Sequence, residues 1–174
     1  MNSNSHHITG NGAGNGAHHA ELPVRERRLV DRLGYYWREI AFRGGFPSID
    51  DIDPWMVGDD WKDCLLIRVR ATVASSRLLA VGEHLLDDPS RQLRDFPIAD
   101  VPADSLVSLI ASHLQQVLSQ RDCVIDEGET LHGGGTILYR CTLLPLAEDG
   151  TAIDHVLAAV DFKFIEAAQS PPVC

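Results

Sequence analysis

His113, Tyr139, Cys141 and a run of aspartates are the side chains in this sequence whose types suit proton transfer, metal binding or ligand recognition. His113 falls at helical spacing with Leu106, Leu109, Ile110 and Val117, so its imidazole lies on or beside an apolar face. There it can act as an axial haem ligand or hydrogen-bond a small acid; it can equally be a core histidine bonded to a backbone carbonyl. Tyr139 alternates with Ile137, Cys141 and Leu143 on a strand-like run and shares their face. If that face lines a pocket, the hydroxyl orients a ligand; otherwise Tyr139 is a core aromatic with a satisfied OH. His113, Tyr139 and Cys141 are therefore the candidate ligand-binding residues. His84 follows a second strand-like run and lacks such company.

Motifs of other chemistry are missing from the sequence. Cys64, Cys123, Cys141 and Cys174 contain no C-x-x-C pair, and the first three sit in apolar runs, which fits neither a zinc site nor a disulfide framework. None has the polar Asn/Gln-rich context of a flavin-reactive cysteine. Asp50, Asp51, Asp53, Asp59, Asp60 and Asp63 lack the central Gly and terminal Glu of a calcium loop, and read as one helix cap plus a solvated surface. No nucleophile elbow, H-E-x-x-H or phosphate loop occurs. Gly12-x-Gly14-x-x-Ala17 has no strand before it, so its likeness to a dinucleotide fingerprint is chance. The pairs His6/His7 and His18/His19 lie in a Gly- and Asn-rich stretch that reads as a linker.

The elements that must position these residues follow from periodicity. Apolar residues recur at three- and four-residue spacing through Leu29, Leu33, Tyr36/Trp37 and Ile40, an amphipathic helix opened near Pro23 and closed by Gly44 and Gly45. Asp53-Pro54 opens a short second helix. Strand-like runs cover 64–71 and 77–85, residues 87–102 read as loop, and a helix spans about 103–119 with Asp100 as its cap. Runs 123–131, 136–146 and 153–165 close the chain as three strands, turning at His132 to Gly135 and at Asp149-Gly150. The last run puts Val156, Ala158, Val160, Phe162 and Phe164 on one face, the pattern of a sheet covered on one side.

The 174 residues suit one domain, with 44% apolar and 23% charged composition. The formal net charge of −10 and the scattered basic residues argue against nucleic acid as a partner. No secretion signal and no span-length apolar run is visible, so membrane insertion is not expected and the cytoplasm is the simplest compartment.

The order helix, two strands, helical segment, three strands resembles that of PAS domains. The sequence also resembles a family of small single-domain PAS proteins common in alphaproteobacteria, through Tyr36-Trp37, Arg43-Gly44-Gly45-Phe46-Pro47, Asp51-Ile52-Asp53-Pro54, Tyr139-Arg140, Leu143-Leu144-Pro145-Leu146 and Asp149-Gly150. It departs from that pattern at Asp59-Asp60-Trp61, at Gly82-Glu83 and over 87–102. The resemblance implies an α+β fold: a five-stranded antiparallel sheet in the order 2-1-5-4-3 with helices on one face, preceded by a long N-terminal amphipathic helix. The expected division is a tail at 1–22, the helix and connecting segment at 23–60, a PAS-like core at 61–166 and a tail at 167–174. The expected function is a stand-alone sensory or protein-interaction module without enzymatic activity, holding a small ligand between helices and sheet or none. No cofactor is demanded, with haem on His113 as one option. Signalling proteins are the expected partners. Leu33, Tyr36, Trp37 and Ile40 on the leading helix either form a homodimer or partner surface or cover the sheet of their own chain. The alternatives are a cone-shaped isomerase- or cyclase-like enzyme, with His113 and Tyr139 as its working pair and a different strand order, and a ligand-free scaffold.

Overall fold

A computed structural model describes residues 28–41, 45–88 and 93–166. Both tails, Pro23, Gly44, the glycine fingerprint, the paired histidines and Cys174 lie outside these residues. Among the described residues there are four α-helices: α1 (Leu29–Ala41), α2 (Pro54–Val57), α3 (Leu106–Ser112) and α4 (Leu114–Gln120). The strands are β1 (Cys64–Arg68), β2 (Arg77–Val81), β3 (Phe96–Pro97), β4 (Val124–His132), β5 (Gly135–Leu146) and β6 (His155–Glu166). All pair antiparallel in one sheet of order β3-β2-β1-β6-β5-β4.

The sheet thus has six strands, not five. The extra strand is Phe96–Pro97, inside the expected loop, where Leu78 pairs with Phe96 and Arg77 with Pro97. A proline without an N–H is tolerated there because β3 is an edge. Without β3, the order is that of the five strands expected from the resemblance.

Helices cover both faces, which corrects the expectation of a sheet covered on one side. Leu65, Ile67, Cys141, Leu143, Val156, Ala158 and Val160 pack with Ile110, Leu114 and Val117 of α3 and α4 on what we call the inner face. The alternate positions Cys64, Leu144, Leu146, Leu157 and Ala159 pack with Leu29, Leu33 and Trp37 of α1 on the outer face. The strand period of two separates these sets. From 156 to 160 β6 is apolar at every position, as a strand buried on both sides must be.

Several devices fix α1 to the sheet. The buried Trp37 indole N–H donates to the Pro145 carbonyl at 2.8 Å. The Arg140 guanidinium forks onto Asp31, with contacts of 3.0 and 2.8 Å. Arg32 reaches Asp60 at 2.5 Å, in the 3-10 turn Gly58–Asp63 that follows α2. The resemblance motifs meet at the chain reversal beyond α1. Phe46 N–H donates to Gly150 O at 3.2 Å, Ala147 N–H donates to Pro47 O at 2.9 Å, and Arg121 stacks 4.9 Å over the Phe46 ring. Gly45 has φ +116° and stands so close that an added Cβ would lie 2.6 Å from the Gly150 carbonyl oxygen. The hairpin joining β4 and β5 turns on Gly133 and Gly134, both at positive φ, as a two-residue type I′ loop requires.

Candidate functional site

The helical run expected over 103–119 is broken in two at His113. Its cap is Ser105, whose hydroxyl accepts from the Ser108 N–H at 3.1 Å; Asp100 lies in a separate 3-10 turn and caps nothing here. At the break, His113 serves as the C-cap of α3 and the N-cap of α4. The interruption brings its ring over the start of β4.

There the side chain meets Asp126. The Tyr139 hydroxyl donates to Asp126 Oδ2 at 2.7 Å, and His113 Nε2 lies 3.3 Å from the same oxygen. The Nε2 atom is buried and makes no hydrogen bond, because the short approach to Asp126 lacks the required alignment. Asp126 pairs with Cys141 across the ladder from β4 to β5, which places the thiol, the carboxylate and the phenol on one face. The three sequence candidates His113, Tyr139 and Cys141 therefore converge, with Asp126 at their centre. Asp126 was not among the candidates, since Asp126, Glu127 and Glu129 together look like a wet face. Alternation held the signal: Asp126 is two residues from the buried Val124, whereas Glu127 and Glu129 point the other way.

The electrostatics keep the Tyr139 phenol and the Cys141 thiol protonated. Burial, then the bond to and charge of Asp126, push the Tyr139 phenol up to about 12. Burial, reinforced by Asp126, pushes the Cys141 thiol up to about 12. Tyr139 is thus a fixed donor rather than an acid, and Cys141 is a packed apolar group rather than a nucleophile. The arrangement sets one imidazole nitrogen without a hydrogen bond beside one carboxylate at the margin of the inner core.

His84 binds Asp63, with Nδ1 to Oδ1 at 2.9 Å, and takes no part in this cluster. Within the acidic run, Asp53 caps α2 by accepting from Trp55 N–H at 2.9 Å, and Asp51 accepts from the Ser48 N–H and hydroxyl. On α1, Leu33 and Trp37 are buried against the chain's own sheet. Tyr36 donates to Asp51 O at 2.9 Å and accepts from Asp53 N–H at 3.1 Å, and Ile40 is half-buried. That placement occupies the apolar side of α1 within the chain. Among the described residues, no helix is long and apolar enough to cross a membrane.

Comparison with known proteins gives three findings. No curated protein matches the chain. Among solved structures, a sensory box sensor histidine kinase from Vibrio cholerae is similar at 19% identity, covering 61% of this chain and 86% of that one, with a TM-score of 0.41. A likeness that low carries no argument about function. Residues 68–163, more than half of the chain, match the family described as PAS fold, and they include His113, Asp126, Tyr139 and Cys141. On that match the chain belongs to the PAS fold family.

Proposed function

We propose that this protein is a sensory or protein-interaction module of signalling, working by contact with a partner rather than by catalysis. Membership of the PAS fold family carries this reading. Strand order supports it against a cone-shaped enzyme, because β2-β1-β6-β5-β4 is the order the PAS resemblance implies. The moving part is the layer of α3 and α4 on the inner face, hinged at His113, where the helical hydrogen-bond ladder is interrupted. A small polar ligand reaching His113 Nε2 and Asp126 would pull on that hinge and on β4 together. A shift between two packings of the layer is how such a module passes a signal to its partner.

The packing bears on the kind of ligand. Ile110, Leu114, Val117, Cys141 and Leu143 are all fully buried against one another. A haem or flavin would have to displace α3 and α4 bodily, so the ligand we expect at His113 is small and colourless. Native mass spectrometry and an ultraviolet-visible spectrum of protein purified from cells test this. The expected result is no visible absorbance, and any small added mass lost in His113→Ala. A Soret or flavin band would overturn the reading of the inner face.

A further inference from the structure

A cavity of about 330 Å3 lies on the outer face of the sheet, away from the His113 cluster. We infer that it is a binding site for a small amphiphile with an apolar body and a cationic head. The inference does not depend on the sensory reading.

The space follows from how the outer face is covered. The helix α1 packs on β5 and β6, and leaves the outer side of β1 to α2 and the 3-10 turn after it. That segment bridges the strand without filling the space beneath. Leu66 is therefore only half-buried although β1 is an interior strand, and Trp61 remains 37% exposed. Ile52, Val57 and Leu157 complete the apolar wall. The volume falls in the range of small-molecule sites, and apolar lining that is left wet gains free energy when a guest covers it.

The head group follows from charge. Among the described residues, Asp50 is the one charged side chain in the lining. Its neighbours Asp51, Asp53, Asp60 and Asp63 are engaged by Ser48, the Trp55 N–H, Arg32 and His84 respectively. Among the described residues Asp50 has no such partner, and it faces a guest unneutralised on a chain of net charge −10. A cationic head is attracted there and a carboxylate repelled. The walls come mostly from residues 49–66, ahead of the matched segment 68–163, so the site is an addition to the family's core.

Calorimetric titration of the full chain with octylamine, octanol and octanoate, each below its aggregation threshold, tests the inference. Octylamine should bind saturably, one per chain, about fivefold tighter than octanoate, the scale of a single exposed charge. Asp50→Asn should bring the two within about twofold and leave octanol unchanged. Leu66→Trp should fill the cavity and weaken all three at least about tenfold; Ile52→Trp, at a half-exposed position that folding tolerates, should do the same. The inference is overturned if octylamine does not saturate, or if octanoate binds as well as octylamine. It is equally overturned if Asp50→Asn keeps the preference, or if a cooperatively melting Ile52→Trp binds all three like the parent chain.

Discussion

Cys64 and Cys141 show what burial does to a reactive group. Both thiols are pushed from the ordinary 9.0 up to about 12, by burial first and by nearby aspartates second. Ellman's reagent at pH 8 should leave both silent in the native protein and modify them only in denaturant; rapid modification of either without denaturant would contradict the packing. The same shifts set a pH dependence. A proton held more tightly in the folded than in the unfolded state stabilises fully below the unfolded value and is lost as pH rises through the folded one. Stability should thus decline from about pH 9 toward pH 12 through the two thiols, with Tyr139 adding its part above pH 10. Urea midpoints at pH 8 and pH 11 check this, and Cys141→Ala should flatten the slope. The face shared by Tyr139 and Cys141 was legible from alternation alone. The side that Asp126 takes was legible in the same way, two residues from Val124; its meeting with His113 was not, because the helix break at His113 leaves the apolar spacing unchanged.

Elements are set by their junctions. The carbonyl of Pro145 lies beyond the end of β4, which pairs with β5 only as far as Leu143. Trp37 supplies a donor to it. Trp37→Phe should cost about 1–3 kcal/mol for the orphaned carbonyl, and Trp37→Ala about 3–5 kcal/mol for the added cavity, read as shifts in urea unfolding. A cost near zero for Trp37→Phe, beside a large one for Trp37→Ala, would mean the hydrogen bond contributes nothing. Gly45→Ala should destabilise by more than about 1 kcal/mol, since it combines a positive φ with a backbone clash at Gly150. The helices and most strands were readable from apolar periodicity. Phe96–Pro97 was not, because a two-residue edge strand has no period to read. The break at His113 was hidden for a related reason: apolar spacing continues through it, and only the local hydrogen bonds change.

At the scale of the molecule, the outer face decides where the folding unit ends. The expected core at 61–166 omits α1, yet Leu144, Leu146 and Leu157 are buried beneath it. A fragment of residues 61–166 should expose that apolar surface and associate or unfold, whereas 28–166 should melt cooperatively; sedimentation and calorimetry would tell them apart. A monomeric, cooperative 61–166 fragment would show α1 to be an accessory. The apolar stripe of α1 was plain in the sequence, but a stripe alone does not say whether it covers its own sheet or another chain. What decides the matter is a second apolar set on the strands, at the positions alternate to the inner face, and Leu157 and Ala159 between Val156 and Val160 carry that information.

The central claim, that the protein signals by contact, is tested most directly by in-cell cross-linking of the full chain followed by titration of the captured protein in purified form. The expected result is a saturable complex with a signalling protein, weakened at least about tenfold when His113→Pro disrupts the junction of α3 and α4 without loss of the sheet. A complex indifferent to that junction, or turnover of a substrate by the purified chain alone, would contradict it.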